Sequence, residues 1–241
     1  MSTSADGANH EERRASTQPA VRFDAVWLRR GEAAAALRGA SFALAPGSFH
    51  VLQGGPSAGK TAILRMICLA EAPSQGMVQV LGRDVQALPR RDRADMRRRI
   101  GAALEPALFI NHLSVWENAA LGPRISGRRR ADYRREVDEV LAWLGLAKHA
   151  REVPPSLGPA ERSRLALARA VADAPEILLV DEPTQGRDPG ESAWLFKRLD
   201  EFHQTGATVL LATRDLALAT GRQVLALDDG RVNVADPDTA R

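Results

Sequence analysis

The pattern of apolar and polar residues predicts strands that alternate with helices along most of this chain. Residues 177–180 and 208–212 are apolar runs of the kind that buried parallel strands require, and residues 224–227 form another. Residues 114–150 and 161–171 carry apolar residues at helical spacing. Strands alternating with helices favour an α/β fold built on a largely parallel sheet.

The N-terminal part of the chain has a different pattern. Residues 21–26 alternate apolar and polar at first, which predicts a strand. Residues 34–42 lead through the turn Pro46-Gly47 toward a short buried strand at 49–52. These segments predict an antiparallel β layer that precedes the parallel sheet.

A glycine-rich segment joins the strand at 49–52 to a helix predicted at 62–69. Its residues are Gly54, Gly55, Pro56, Ser57, Ala58, Gly59, Lys60 and Thr61, with Ala62 following in the helix. The segment fits G-x-x-x-x-G-K-[ST], the P-loop motif, in which backbone N–H groups and a helix N-terminus cradle phosphates. Lys60 would reach the β- and γ-phosphates, and Thr61 would hold Mg²⁺. The alternative is a chance match in a glycine loop, which the flanking strand and helix disfavour.

Two carboxylates, Asp181 and Glu182, follow the apolar run at 177–180. A strand that ends in such a pair, far downstream of a P-loop, is the Walker B arrangement. Asp181 would bind Mg²⁺ through water, and Glu182 would orient or deprotonate the attacking water. A solvated strand end is the alternative, and the P-loop disfavours it. Glu182 and Lys60 are therefore the candidate catalytic residues.

Composition narrows the class of protein further. The chain has 241 residues, a net charge of +3 and no run of 18 apolar residues that could span a membrane. Its single cysteine allows no internal disulfide, which fits a reducing cytoplasm. The pI of about 9.6 would suit nucleic-acid binding, but aromatic and basic residues do not interleave. We expect no nucleic-acid partner.

The order of the motifs resembles the nucleotide-binding domain of ABC ATPases over about residues 21–232. The P-loop, a helical section, a segment over 157–164 and the carboxylate pair follow one another as in that family. Finer similarity to cell-division ATPases of the FtsE type lies at residues 64–68, 97–101, 113–119 and 212–215. Lipoprotein-export and macrolide-export ATPases are related families that stay open as alternatives.

The resemblance implies an α/β P-loop NTPase fold of the ABC type, with an antiparallel β layer and an inserted helical lobe. We expect this domain over residues 21–235, with the lobe at about 106–160. A disordered tail over residues 1–20, which are mostly polar and lack any period, would precede it. A short tail over 236–241 would follow it.

The resemblance also implies partners. ATP and Mg²⁺ would lie between the P-loop of one subunit and the signature helix of another, in a homodimer or a heterodimer with a second ABC ATPase. An FtsX-like permease in the membrane would dock on the helical lobe. The chain would then lie on the cytoplasmic face of the inner membrane and meet the membrane only through that permease.

One departure from the family pattern lies in the signature, which is Leu-Ser-Gly-Gly-Gln or Leu-Ser-Gly-Gly-Glu. Here the segment is Leu157-Gly158-Pro159-Ala160-Glu161, so the serine hydroxyl and one backbone N–H are missing. Proline is tolerated at the first helical position, so we still expect a helix. This segment should therefore bind a γ-phosphate across the dimer interface less tightly than the family signature does.

Other departures lie at positions that sense nucleotide. Glu105 aligns with the glutamine that senses Mg²⁺; it would bind the metal but adds negative charge beside the triphosphate. Arg214 aligns with the switch histidine and cannot relay protons, but it would stabilise γ-phosphate charge as an arginine finger does. Arg30 aligns with the aromatic residue that stacks on adenine, and Trp27 lies three residues earlier.

These features together predict tight ATP binding with slow turnover. The predicted metal ligands are Thr61, Asp181 and Glu105, and the other cofactor-binding residues are the P-loop segment and Arg214. One alternative is a pseudo-ATPase that binds ATP without hydrolysing it and acts as a scaffold for the same membrane partner. Another is the ATPase subunit of a lipoprotein- or macrolide-type exporter.

Two interpretations are open for each of two surface features. The arginine-rich stretch 124–135 would either meet anionic lipid head groups or form a solvated face. The apolar stretch 108–113 would either line a groove for a permease helix or pack the helical lobe.

Overall fold

A computed structural model describes residues 18–29, 35–183, 188–214 and 221–235. The strands are β1 (Val21–Leu28), β2 (Leu37–Leu44), β3 (Phe49–Gly54), β4 (Gln75–Val80), β5 (Arg83–Asp84), β6 (Ile100–Ala103), β7 (Ile177–Asp181), β8 (Thr208–Thr213), β9 (Gln223–Asp228) and β10 (Arg231–Ala235). The helices are α1 (Lys60–Ile67), α2 (Arg90–Arg98), α3 (Val115–Ala119), α4 (Leu121–Ile125), α5 (Arg130–Trp143), α6 (Pro159–Val171) and α7 (Pro189–His203). Residues 1–17, Arg30 and the tail at 236–241 lie outside the described residues.

Two sheets form the fold. The larger has six strands in the order β10-β9-β3-β8-β7-β6, all parallel except β10. The smaller is antiparallel, with the order β2-β1-β4-β5. Every residue of β7 and β8 is buried, as their apolar runs predict. The predicted α/β class, parallel sheet and antiparallel layer are confirmed.

Apolar clusters cover both faces of the six-stranded sheet. One includes Leu52 of β3, Ile63 of α1 and Phe23 of the antiparallel sheet. The other includes Val51 of β3 and Leu165 of α6. Successive strand residues point to opposite faces, so β3 contributes to both clusters. This packing fixes the position at which β3 ends and the glycine-rich segment begins.

The predicted helical section at 114–150 consists of three α-helices, α3 to α5, and a short 3-10 helix at Ala147–His149. Ser114 begins α3 with a capping box that it shares with Glu117. Gly127 and Gly145 lie beyond the ends of α4 and α5 at φ 77° and 69°. A left-handed residue stops a helix, and glycine adopts that conformation without steric cost. These glycines end α4 and α5, whereas α3 and α4 meet at Ala120, which caps both helices.

The sequence pattern does not predict β4, β5 or β10. Strand β4 begins with Gln75 and Gly76 and pairs with β1 of the antiparallel sheet, so its start lacks apolar alternation. Strand β10 follows the turn Asp229-Gly230, whose residues have φ 42° and 74°. An Asp-Gly pair with positive φ at both residues is typical of tight hairpins, so this signal would have located β10.

Four of the six arginines in the arginine-rich stretch form ion pairs with acidic side chains. The ion pairs are Arg128 with Glu136 and Asp173, Arg129 with Asp132, Arg134 with Asp138, and Arg135 with Glu139. Because the carboxylates offset the positive charge, a solvated face is favoured over a lipid-binding surface. No helix of the described ranges is long and apolar enough to cross a membrane.

His50 in β3 makes stability depend on pH. Its side chain is buried, and burial lowers the pKa of the imidazole from its ordinary value of 6.5, against a smaller effect of Gln223. Because the unfolded chain binds the proton more readily, stability present above that ordinary pKa is lost as pH falls toward the folded-state pKa. We expect the melting temperature to drop between about pH 7.5 and about pH 5.5, and to drop less in His50→Gln.

The matched control for this prediction is His112→Gln, since His112 is exposed. It should keep the wild-type drop in melting temperature. Equal drops in wild type and His50→Gln would show that His50 is not responsible.

Candidate nucleotide-binding site

The glycine-rich segment turns sharply between β3 and α1. Ser57 and Gly59 have left-handed backbone conformations, with φ 60° and 110°. Helix α1 begins at Lys60, with Gly59 at its N-cap and no capping side chain. The first N–H groups of a helix lack partners within the helix and attract anions. The turn thus gives the segment the geometry of a phosphate cradle.

Gly54 is packed too closely for a side chain. A Cβ there would lie 2.5 Å from the carbonyl oxygen of Leu227 and 3.1 Å from the Cβ of Ala58. We expect Gly54→Ala to lower the free energy of unfolding by about 1–3 kcal/mol, because the backbone of β9 would have to shift. Chemical denaturation of the two proteins measures the difference.

Gly55→Ala is the matched control for Gly54→Ala. A Cβ at Gly55 would have no neighbour within 4 Å. We expect its unfolding free energy to change by no more than about 0.5 kcal/mol. If both variants were equally stable, close packing would not be the reason for glycine at position 54.

The ammonium group of Lys60 is held by three oxygen atoms. Its Nζ donates to the carbonyl oxygens of Gly54 at 2.6 Å and Gly55 at 3.1 Å. It also lies 3.1 Å from Oε1 of Glu182, and only 6% of the Lys60 side chain is exposed. The cation therefore lies over the loop, in contact with the carboxylate at the end of β7.

Asp181 is the last residue of β7 and is buried. Its Oδ2 accepts a hydrogen bond of 2.8 Å from Oγ1 of Thr61. Burial raises the pKa of the Asp181 carboxyl; the Thr61 hydrogen bond and Lys60 oppose this, while Glu182 and Glu105 add to it. Keeping this carboxylate ionised is costly unless a cation lies beside it.

The surroundings of Asp181 fit a Mg²⁺ ion. Within the part of the chain that the structure describes, Oδ1 of Asp181 is buried without a hydrogen-bond partner. Those same residues contain no group of three or more His, Cys, Asp or Glu arranged as metal ligands. Mg²⁺ typically takes one or two protein ligands and completes its shell with phosphate and water. Asp181 and Thr61 suit that mode of binding.

Glu182 lies between two cations. Its Oε1 is 3.1 Å from Nζ of Lys60 and 3.2 Å from Nε of Arg214. These contacts are ion pairs without hydrogen-bond geometry, whereas the backbone N–H of Arg214 donates to Oε2 at 3.3 Å. Glu182 also has φ 43°, a conformation that costs about 1–3 kcal/mol and is typical of functional sites.

A cleft of about 700 Å³ brings these groups together. The predicted site residues that line it are Gly55, Ser57, Ala58, Gly59, Lys60, Thr61, Ala62, Glu105, Asp181, Glu182 and Arg214. Glu105 is exposed at its edge. Gly54 and Pro56, which were also predicted to bind the cofactor, do not line it, and Gly54 packs against β9 instead.

Five further residues line the cleft and are not predicted by the sequence. They are Ala35, Ala36, Arg38, Asp229 and Gly230. They come from the start of β2 and from the β9–β10 turn, which approach the P-loop only in the folded chain. The Asp-Gly pair signals a turn, but no local pattern places that turn beside the P-loop.

The altered signature segment begins α6. Gly158 is the N-cap without a side-chain hydrogen bond, and Pro159 is in the first turn, so the predicted helix does form. Neither residue lines the cleft of its own chain. A Cβ at Gly158 would lie 2.5 Å from Oε2 of Glu161, the flexible end of a side chain.

The fold and the cleft define a P-loop nucleotide-binding protein, because an inner parallel strand leads through a glycine turn into a helix beside two carboxylates. A family model described as ABC transporter matches residues 37–185. The chain belongs to the ABC transporter family of ATP-binding domains.

Individual relatives agree with this family. The cell division ATP-binding protein FtsE of Escherichia coli (strain K12) is 34% identical over 215 residues, which cover 88% of this chain and 97% of FtsE. The dimeric structure of MJ0796, a bacterial ABC transporter cassette, has a TM-score of 0.83 at 26% identity, with 88% of this chain and 96% of that chain covered. A post-hydrolysis dimer of the same cassette bound to ADP and Pi has a TM-score of 0.82, with the same 26% identity and coverage of 88% and 96%. The predicted ABC ATPase with FtsE-type relatives is confirmed.

Proposed function

We propose that this chain is the ATP-binding subunit of an FtsEX-like complex in cell division and that it hydrolyses ATP slowly. The observation that carries the proposal is the convergence of Lys60, Thr61, Asp181 and Glu182 at the N-terminus of α1. Similarity to FtsE supports the role in cell division and the coupling to a permease-like membrane partner.

Binding would begin at the P-loop. Phosphate oxygens would replace the carbonyl oxygens that now accept from Lys60, because hydrogen bonds between ionised groups are stronger. Thr61 and Asp181 would hold Mg²⁺, with Glu105 at the cleft edge as a further oxygen donor. A bound cation would offset the burial cost that raises the pKa of Asp181.

Glu182 would act as the general base. It would take a proton from a water molecule whose oxygen attacks the γ-phosphorus, and the bond from that phosphorus to the bridging oxygen would break to release ADP. The positive charge of Arg214 would stabilise the γ-phosphate oxygens. Lys60 would provide the same stabilisation from the P-loop side.

The altered signature segment supports slow turnover. Gly158 offers no hydroxyl and Pro159 no N–H to the γ-phosphate of a partner subunit. Each missing charge-assisted hydrogen bond would cost about 1.5–3 kcal/mol.

A groove beside α6 supports the permease partner. It has a volume of about 430 Å³ and is lined in part by Ile125 and Arg169. Ile125 of this groove is 71% exposed. Leu108 and Ile110 of the apolar stretch are 77% and 38% exposed, which opposes the alternative that the stretch only packs the lobe. Arg169 donates to the carbonyl oxygen of Leu108 at 2.5 Å and lies over the ring of Phe109. Exposed apolar side chains around a groove suit an apolar helix of a membrane protein.

The experiment that tests the proposal is ATP binding and steady-state turnover, measured on the chain purified with its membrane partner. We expect binding with turnover below about 1 s⁻¹, the low end for enzymes. Gly158→Ser should raise turnover, since Glu161 can swing aside to admit a hydroxyl. Faster wild-type turnover would contradict slow hydrolysis, and failure to bind ATP would contradict the whole proposal.

The two alternatives predict different outcomes in the same experiment. A pseudo-ATPase would bind ATP without turnover, and Gly158→Ser would not change that. An exporter subunit would purify with a permease whose activity is solute transport.

Thr184 and residues 185–187, which follow the carboxylate pair, lie outside the described residues.

A further inference from the structure

Helix α2 presents four arginines on one exposed side, which we call the α2 arginine face. They are Arg90, Arg91, Arg97 and Arg98. Residues three, four and seven positions apart lie on the same side of a helix, so these side chains lie around the exposed Ala94. Met96, the buried residue of α2, lies on the opposite side. The helix therefore packs through one apolar side chain and presents guanidinium groups to its surroundings.

The charge of α2 differs from that of α5, the other arginine-rich helix. Helix α2 has five arginines and two aspartates, which give a net charge of +3. Helix α5 has three arginines and four acidic residues, which give a net charge of −1. Arg90 and Arg97 form no ion pair with any described residue, and Nη2 of Arg97 donates to the neutral carbonyl oxygen of Leu69 at 2.7 Å. The α2 arginine face thus keeps positive charge that α5 does not.

Helix stability does not account for Arg90 and Arg91. They are the first two residues of α2, where a positive charge opposes the partial positive charge of the helix N-terminus. The acidic residue of that turn, Asp92, lies 2.7 Å from Nη2 of Arg83 and 3.3 Å from Nε of Arg91. Such exposed ion pairs contribute little. Both arginines therefore remain available to an anion outside the chain.

The α2 arginine face adjoins the groove that we assign to the membrane partner. Ala94, Arg97 and Arg98 line that groove together with Ile125 and Arg169. A permease held there would span the bilayer, so the bilayer surface would lie beside the groove. The cytoplasmic surface of a membrane carries anionic phospholipids, and its negative potential attracts arginines that lie within about a Debye length.

We propose that the α2 arginine face binds the head groups of anionic phospholipids beside the permease. The inference rests on the proposed function, which supplies the position of the bilayer. Each guanidinium has paired N–H donors that match two oxygens of a phosphate group. The chain would then contact the membrane directly as well as through its partner.

The test measures binding of the purified chain to vesicles of phosphatidylglycerol and phosphatidylcholine, by flotation at low ionic strength. Wild type should bind these vesicles but not vesicles of phosphatidylcholine alone, and added salt should weaken the binding. Arg90→Gln/Arg91→Gln should lower the partition coefficient about 25-fold, because each arginine near an anionic surface contributes about fivefold. Neither residue lines the groove or the nucleotide cleft, so ATP binding should not change.

The matched control is Arg134→Gln/Arg135→Gln on α5. It also removes two adjacent exposed arginines, but these pair with Asp138 and Glu139. The control should bind the anionic vesicles about as tightly as wild type.

Three results would overturn the proposal while leaving ATP binding intact. Wild type could fail to bind the anionic vesicles, which needs no variant to fold. Both double variants could lose binding equally, in which case binding would follow net charge alone. Arg90→Gln/Arg91→Gln could keep vesicle binding but no longer purify with the membrane partner, which would assign the face to acidic side chains of that partner. Failure of wild type to bind ATP would instead contradict the proposed function.

Discussion

Lys60→Met should weaken ATP binding at least about a hundredfold. The wild-type ammonium group lies over the loop and already contacts three oxygen atoms there. On binding, it would make charge-assisted hydrogen bonds to phosphate oxygens, each worth about 1.5–3 kcal/mol. Methionine has a side chain of similar length but offers neither the charge nor a donor. Isothermal titration with ATP and Mg²⁺ measures the change in the dissociation constant.

Lys197→Met provides the matched control for this substitution. Lys197 is exposed on α7, and its replacement removes the same charge from the chain without touching the cleft. It should leave the dissociation constant unchanged. If Lys60→Met also bound ATP as wild type does, the P-loop would not be the phosphate site.

A substantial part of the fold is predictable because its signals are local. The apolar runs of β7 and β8 predict strands buried on both faces, and every residue of these strands is buried. The P-loop is predictable because its glycines meet backbone constraints: Gly59 has a left-handed φ, and Gly54 has no room for a Cβ. Such backbone constraints require particular residue types at fixed spacing, and this spacing can be recognised in a single sequence.

The rest depends on how distant segments meet. Glu182 and Arg214 are separated by more than thirty positions in the chain, and their ion pair exists because β7 and β8 are neighbours in the sheet. Arg38 lies in β2 and Asp229 in the β9–β10 turn of the other sheet, and neither carries a local signal for the cleft. The motif therefore predicts the part of the site that would bind phosphate, whereas tertiary packing brings the remaining lining residues beside it.

Glu182→Gln should reduce ATP turnover at least about a hundredfold while ATP binding is retained. Glutamine has the same shape and keeps an oxygen that can face Lys60 and Arg214, but it cannot accept a proton from water. General-base catalysis typically contributes about 10²–10⁴ to a rate, so its loss sets the expected size of the effect. Turnover is measured as phosphate release in the complex with the membrane partner, and binding by titration with ATP.

Comparison with Glu139→Gln shows whether a lost turnover belongs to position 182, because Glu139 is exposed on α5 and pairs only with Arg135 among the described residues. That variant should turn over ATP at the wild-type rate. Equal turnover in Glu182→Gln and wild type would show that another residue is the base, whereas absence of turnover in all three proteins would favour the pseudo-ATPase.

Because ATP persists when hydrolysis stops, Glu182→Gln should also accumulate an ATP-bound dimer if one forms, detectable as a doubled mass in light scattering. A variant that binds ATP tightly yet stays monomeric would indicate that the altered signature at Gly158 and Pro159 cannot close the dimer in a homodimeric arrangement.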